Sequence, residues 1–206
     1  MTVLGFESPG RHLTAHATAQ RSAVPLFFEI MTKGDPVSAP QIDYNKLVTQ
    51  MASNDWRQRD AARKAIEEGG KVGLSAFKQA FEHANWRVRR ECAGFMDHHA
   101  DQTCIRMLTK ALKDPNQVVR RNAIHSLSCD RCKPAPLTFD AVPLMLDLAQ
   151  NDRSVNVRRT ALGLLCSKKP DARVVPVVTA ILNVEQNKRV RHQAEMALKQ
   201  HRQAAG

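Results

Sequence analysis

The sequence has few aromatic residues and no apolar run long enough to cross a membrane. Phe, Trp and Tyr make up 5% of the chain, and only one residue is a tyrosine. Proteins that bind single-stranded nucleic acid by base stacking use several aromatic rings, so the composition argues against that function. The longest apolar stretch, residues 174–184, is interrupted by Pro176 and Thr179. It reaches about half of the ~20 residues that a bilayer span requires.

Motifs of the common enzyme classes are also missing. The sequence contains no Gly-x-Gly-x-x-Gly, no phosphate-binding loop, no Gly-x-Ser-x-Gly and no His-Glu-x-x-His. No basic start leads into an apolar core and a cleavage site, which argues against secretion. Five cysteines without a secretory signal are typical of reduced thiols inside the cell. We therefore predict a cytoplasmic protein that is not an enzyme.

The first 40 residues differ in composition from the rest of the chain. They are rich in Ser, Thr, Ala, Gly and Pro and show no sustained helical period. This predicts a disordered arm at residues 1–40 and a folded domain at residues 41–206. Three basic and three acidic residues cancel in the arm, so the net charge of +11 belongs to the domain. A basic domain attracts acidic proteins, nucleic acid or anionic lipid without selecting among them.

A five-residue pattern recurs through the domain. It consists of Val, Arg, a basic residue, a variable residue and a small residue, at 88–92, 119–123, 157–161 and 190–194. A degenerate copy at 58–62 precedes these four. The copies follow one another at steps of 30 to 38 residues. Periods of this size are typical of stacked helical repeats.

Each repeat has the pattern of a hairpin of two helices. In the third copy, residues 114–116 read Asp-Pro-Asn, which is typical of a helix boundary. An apolar helical stripe follows, then a break at 128–136 and a second apolar helix over 140–150. The small residue that ends each pattern lets the paired helices approach closely. These small residues are Ala62, Cys92, Ala123, Ala161 and Ala194.

The units resemble HEAT-like repeats, especially the short type named after phycobilin lyases. The resemblance covers residues 42–203 and rests on Asp-Pro, Val-Arg-x-x-Ala and a Leu-rich second helix. It implies an all-α fold, an α-solenoid of about four and a half HEAT-like helical hairpins. In that family an arginine and an aspartate form a ladder between adjacent repeats. Carried over to this sequence, the ladder residues are Arg89, Arg120, Arg158, Arg191, Asp114 and Asp152.

The second basic residue of each pattern is a candidate binding residue. Adjacent helical residues point about 100° apart, so one arginine can serve the ladder while the next faces water. Residues of this kind would form a basic column along the solenoid, suited to an acidic protein or a phosphate backbone. The alternative is an ordinary solvated helix face. The basic column consists of Arg90, Arg121, Arg159 and His192.

A Cys-x-x-Cys spacing lies in the break of the longest unit. Cys129 and Cys132 offer two thiolate ligands, and a tetrahedral zinc site needs two more. Breaks of stacked units meet at one edge, which adds Cys166 and one of three histidines, His98, His99 or His125. The leading set is Cys129, Cys132, Cys166 and His98. The alternative is free thiols, because a single pair is half of a zinc-finger motif.

Together these features predict a non-catalytic scaffold that binds another protein, with an acidic partner favoured by charge. The sequence favours a protein without a cofactor, and this zinc ion is the alternative. Nucleic-acid binding is the alternative, because the HEAT-like DNA glycosylases share the architecture. Those enzymes need an acidic residue among aromatic residues on the concave face. Asp147 is the one acid well placed for this role, and no Trp accompanies it on the second helices.

Overall fold

The computed structural model describes residues 41–202, and every regular element in this range is a helix. This confirms the predicted all-α class. The predicted disordered arm, residues 1–40, lies outside the described range, as do residues 203–206. None of the described helices has both the length and the apolar character needed to cross a bilayer.

Ten α-helices form the described part of the chain, with a short 3₁₀ helix at Gln102–Cys104. In chain order they form four helix pairs that match the sequence units and that we call hairpins (α2 with α3, α4 with α5, α6 with α7, α8 with α9), with α1 before and α10 after them. The closest packing across a turn joins helices of consecutive hairpins, α5 with α6 and α7 with α8, and also joins α9 with α10. The α-helices are α1 (Tyr44–Gln50), α2 (Trp56–Glu68), α3 (Gly70–Ala80), α4 (Trp86–His99), α5 (Ile105–Ala111), α6 (Gln117–Ser128), α7 (Val142–Asn151), α8 (Val155–Leu165), α9 (Val174–Val184) and α10 (Lys188–Arg202).

First helices of successive hairpins stack side by side, α4 on α6, α6 on α8 and α8 on α10. The valine of the sequence pattern is fully buried in all four copies. So is the small residue that ends the pattern, which places matching positions at the helix interfaces. The four valines and four small residues are Val88, Val119, Val157, Val190, Cys92, Ala123, Ala161 and Ala194.

Polar caps begin the first helices at the turns between hairpins. The side chains of Asp55, Asn85 and Asn116 each accept a hydrogen bond from a backbone N–H two residues later, at 2.9, 3.0 and 2.8 Å. Asn116 takes the cap position of α6 and Pro115 lies one residue before it, so the helix boundary falls within the Asp-Pro-Asn segment that the sequence indicated. These caps fix where α2, α4 and α6 start relative to the preceding turn.

The break in the third hairpin is longer than predicted. Helix α6 ends at Ser128 and α7 begins at Val142, two residues after the predicted start. Asp140 sets this boundary, because its carboxylate accepts the Val142 N–H at 3.1 Å. The break is nevertheless anchored, since Leu137 and Lys133 are both buried.

Candidate functional site

The turns between hairpins carry a regular set of arginine contacts. Nε and a terminal nitrogen of Arg89 donate to the Asp114 carboxylate at 2.6 and 3.0 Å. Its other nitrogen donates to two carbonyl oxygens of the preceding turn at 2.7 and 2.8 Å. Arg120 repeats the arrangement with the Asp152 carboxylate at 2.7 and 2.8 Å and also donates to the Asp114 carbonyl at 2.8 Å. Each arginine therefore joins its own turn to the next one.

The later part of this ladder uses a residue that the sequence analysis missed. Arg158 donates to the Glu185 carboxylate at 2.8 Å and to the Asp152 carbonyl at 3.0 Å. Glu185 was overlooked because the aspartate of the earlier turns is replaced there by its longer homologue. Arg191 donates to the carbonyls of Leu182 and Glu185 at 2.6 and 3.0 Å. It makes no ion pair with any residue between 41 and 202.

The degenerate first copy also contributes an arginine that the sequence analysis missed. Arg59 donates to the carbonyl oxygens of Ser53 and Asn54 at 2.9 and 3.0 Å. Its Nε lies 3.7 Å from the Glu91 carboxylate, so it has a weaker acidic neighbour than Arg89 has. Asp60 occupies the place of the second basic residue and hides the relation to the later copies. Because Arg59 makes the same turn contacts as the later arginines, the series of ladder arginines begins at this unit.

The centre of the ladder is buried and its charges are paired. The Arg120 and Asp152 side chains are 5% and 4% exposed. Burial alone would raise the pKa of Asp152, but hydrogen bonds from Arg120 and the Ser154 N–H outweigh it and leave the pKa lowered. The hydrogen bond from Asp152 in turn raises the pKa of Arg120. These groups hold the turns together and present no free charge to a ligand.

The basic column differs from the ladder in exposure. Arg121, Arg159 and His192 are exposed and form no ion pair with other residues of the described helices. Arg90 is half-buried, and its Nε donates to the Glu91 carboxylate at 3.0 Å. The column therefore has three free members and one whose charge is already matched.

Arginines also lie against the two tryptophans that begin α2 and α4. The Arg57 guanidinium lies 5.3 Å from the Trp56 ring centroid, and that of Arg90 lies 5.6 Å from the Trp86 ring centroid. Trp56 is 60% exposed, so it does not fill the space between repeats. The recurrence of Trp at this place instead provides a ring face for a neighbouring cation.

A groove of about 610 Å³ lies beside the ladder where the hairpins α2–α3 and α4–α5 meet. Phe81 and Met107 line its apolar part, and Lys113 lies at its rim. Lys110 and Glu82 pair across the groove at 2.7 Å. The groove thus combines an apolar floor with a mostly compensated rim.

A different kind of cluster lies at the other end of the first helices. Asp97, His125, Cys129 and Cys132 each offer one ligand atom, and these atoms lie within 4.8 Å of one another. His125 Nδ1 is 2.9 Å from Asp97 Oδ1, and the two cysteine sulfurs are 2.9 Å apart. Asp97 lies in the last turn of α4, and His125 precedes Cys129 by one turn of α6. Four residues with metal-binding side chains therefore converge from two neighbouring hairpins.

Cys166, a predicted ligand, is not part of this cluster. Its thiol donates to the Leu162 carbonyl at 3.4 Å and accepts from the Gln193 amide at 3.3 Å. Both contacts direct the sulfur along α8 and toward α10. The sequence placed Cys166 at the correct edge of the solenoid but could not show which way its side chain turns.

His98 and His99, two other predicted ligands, also lie outside the cluster. His98 Nδ1 donates to the Cys132 carbonyl oxygen at 2.9 Å, and His99 Nε2 lies 3.0 Å from the Glu67 carboxylate. Successive residues of α4 point about 100° apart, so only one of the three side chains at 97–99 can face His125. That residue is Asp97, which the sequence analysis did not propose as a ligand.

Lys133 is packed against the cluster. Its side chain is 1% exposed, and Nζ lies 3.8 Å from Asp97 Oδ1. Nζ also donates to the Cys129 carbonyl at 3.0 Å. Burial lowers the pKa of Lys133. A hydrogen bond with Cys129, together with burial and the nearby Asp97, raises the pKa of the Cys132 thiol to about 12.

The repeated hairpins and their ladder define a helical-repeat solenoid. Residues 74–139 match the family model described as HEAT repeats, which confirms the predicted HEAT-like units in that segment. The chain is thus a helical-repeat protein in which residues 74–139 are similar to HEAT repeats. HEAT repeats commonly mediate protein interaction.

Two solved structures illustrate what the chain is similar to. An engineered protein, Northeast Structural Genomics Consortium target OR329, is 18% identical, with 78% of this chain and 79% of that chain covered and a TM-score of 0.49. The designed armadillo repeat protein YIII(Dq)4CqI is 13% identical, with 77% and 100% covered and a TM-score of 0.29. The search of curated proteins found no match.

Proposed function

We propose that this protein is a non-catalytic scaffold whose basic column binds an acidic surface of a partner protein. The main support is that two adjacent arginines of the pattern differ in burial and in ion pairing. Arg120 is buried and paired in the ladder, whereas Arg121 is exposed without an acidic partner in residues 41–202. Arg158 and Arg159 repeat this contrast one hairpin later. A domain that neutralises its internal arginines but leaves these outer ones free is suited to an anionic partner.

The free cations have a regular spacing. Arg121 and Arg159 occupy the same pattern position on α6 and α8, which pack against each other. Axes of packed helices lie about 8–10 Å apart, so successive hairpins place cations at steps of that order. His192 continues the series on α10. A partner that crosses these helices would meet one cationic or protonatable group per hairpin.

The second helices give less support to an anionic partner. Helix α7 contains no basic residue, and its exposed Asp147 is negative. The rim of the groove beside the ladder is mostly compensated by the pair Lys110–Glu82. Charge-based recognition therefore belongs to the column on the first helices. Arg90 adds less to it than Arg121 and Arg159, because Glu91 already neutralises it.

Binding to poly-glutamate and to duplex DNA at two salt concentrations tests the proposal. We expect the wild type to bind poly-glutamate and R121Q/R159Q to bind it about tenfold more weakly, since exposed ion pairs contribute up to about 1 kcal/mol each. The matched control is R106Q/K113Q, which removes the same charge from exposed positions at the second helix α5 and just beyond it. Equal losses in both double variants would mean that net charge alone drives binding.

The same experiment tests the nucleic-acid alternative. Tight binding to DNA with a steep salt dependence, and none to poly-glutamate, would replace the acidic-protein proposal. A glycosylase-like activity has little support, because Trp56 and Trp86 belong to the first helices α2 and α4, away from Asp147. A pull-down from the native host, with R121Q/R159Q as the comparison, would then identify the partner.

A further inference from the structure

We propose that Asp97, His125, Cys129 and Cys132 form a zinc-binding site that fastens the long break of the third hairpin to the preceding hairpin. The inference is independent of the proposed binding function, since none of the four residues belongs to the basic column.

The donor set has the number and chemistry that zinc requires. Structural zinc sites use four ligands in a tetrahedral arrangement, drawn from cysteine sulfur, histidine nitrogen and carboxylate oxygen. The cluster offers two sulfurs, one imidazole and one carboxylate, one atom from each residue. Thiolate and imidazole ligands favour zinc over magnesium and calcium, which prefer oxygen. The residues therefore form a complete set for zinc without a ligand from elsewhere.

The distances are close to those of a loaded site. With zinc–sulfur bonds of about 2.3 Å and zinc–nitrogen or zinc–oxygen bonds of about 2.0–2.2 Å, neighbouring ligand atoms lie roughly 3.3–3.8 Å apart. The four atoms here lie within 4.8 Å of one another, and the sulfurs are 2.9 Å apart. Binding thus requires the sulfurs to separate by about 0.9 Å and the more distant pairs to approach slightly. Side-chain rotations of this size need no rearrangement of α4 or α6.

The surroundings balance the charge of a loaded site. Two thiolates and one carboxylate carry three negative charges, and a zinc ion supplies two positive ones. The Lys133 ammonium, 1% exposed and 3.8 Å from Asp97 Oδ1, supplies the remaining positive charge. A buried lysine is costly unless it is paired. Its position beside this cluster is what an anionic metal site would stabilise.

Hydrogen bonds from two residues outside the ligand set already hold the backbone of both cysteines. Lys133 Nζ donates to the Cys129 carbonyl at 3.0 Å, and His98 Nδ1 donates to the Cys132 carbonyl at 2.9 Å. Such outer contacts orient ligands before the metal arrives. All four ligands are partly exposed, so an ion can reach them from solvent. His98 thus serves the site through the backbone and does not bind the metal.

Cobalt and zinc titrations of the reduced, metal-free, full-length protein test the site. We expect one Co²⁺ per chain, with the visible bands of tetrahedral Co²⁺ and a thiolate-to-cobalt charge-transfer band. Zinc should displace the cobalt, whereas a large excess of Mg²⁺ or Ca²⁺ should not. No stoichiometric binding, or an octahedral spectrum without a sulfur band, would overturn the proposal. So would a stable Cys129–Cys132 disulfide that persists under reducing conditions.

Single variants distinguish this ligand set from the one suggested by the sequence. We expect C132S, H125A and D97A each to weaken zinc binding by at least about tenfold. The matched controls C166S and H99A should retain the tetrahedral cobalt spectrum and one zinc per chain. Circular dichroism of each metal-free variant confirms that the helices are intact. A larger loss in C166S than in D97A would reject this set of ligands.

Discussion

The two edges of the solenoid follow different rules. At the edge where the first helices begin, three successive turns repeat one contact between an arginine and a carboxylate. At the edge where the first helices end, the breaks differ in length and composition. One of them, in the third hairpin, supplies Cys129 and Cys132 to the cluster that they form with Asp97 and His125. Repetition therefore marks what stabilises the stack, and departure from it marks where a site specific to this protein can form.

The largest expected effect breaks the regular edge at its centre. R120A should lower the free energy of unfolding by about 3–5 kcal/mol, because Asp152 stays buried without its partner. R121A removes the next side chain of the same helix, which is exposed, and should change stability by no more than about 0.5 kcal/mol. Urea unfolding followed by circular dichroism measures both. Similar losses in the two variants would mean that the ladder does not stabilise the turns.

A smaller effect is expected at the end of the ladder. Arg191 donates to two carbonyl oxygens and lacks a carboxylate partner within the described range. R191A should therefore cost about 1–3 kcal/mol, as expected for hydrogen bonds from a charged group. The same unfolding assay ranks it against R120A. If R191A proved as costly as R120A, the carboxylate of Asp152 would add nothing beyond the backbone contacts.

Acid should weaken the regular edge through Asp152. Its pKa is lowered in the folded chain from the ordinary value of 3.8, so the folded state keeps the carboxylate where the unfolded chain takes up a proton. The stabilisation is complete above that ordinary value and is lost as pH falls through the folded pKa. Stability measured from pH 6 downward should fall less steeply in D152N than in the wild type. D130N, from the opposite edge, is the control, and an unchanged slope in D152N would contradict the prediction.

The smallest expected effect lies at the irregular edge. Lys168 and Asp130 pair at 2.6 Å, but the Asp130 side chain is 51% exposed. D130A should cost at most about 1 kcal/mol, because exposed ion pairs contribute little. Thermal unfolding of the metal-free protein gives the comparison with R120A. A loss as large as that of R120A would remove the distinction between the two edges.

The sequence predicted the architecture because the repeat constrains it at every copy. Val119 and Ala123 recur in place, so one unit predicts the surroundings of the next. The ladder was predicted where its members keep their identity, as Arg89 and Asp114 do. Glu185 was missed because a longer side chain fills the role of the aspartate.

The metal-binding cluster was only partly predictable. His125 and Cys129 are four residues apart, which places them on one side of α6. This part of the cluster can be read from the sequence. The participation of Asp97 depends on how α4 is rotated about its axis relative to α6. That rotation follows from packing of the whole interface and cannot be read from a single break.

The ladder has a mechanical consequence. Asp152 is held by Arg120 through its carboxylate and by Arg158 through its carbonyl, so adjacent contacts share a residue and run on without a gap. When the solenoid bends, this continuous row of contacts should resist stretching along its edge. The distances between neighbouring hairpins should then change least at the ladder and most at the opposite edge.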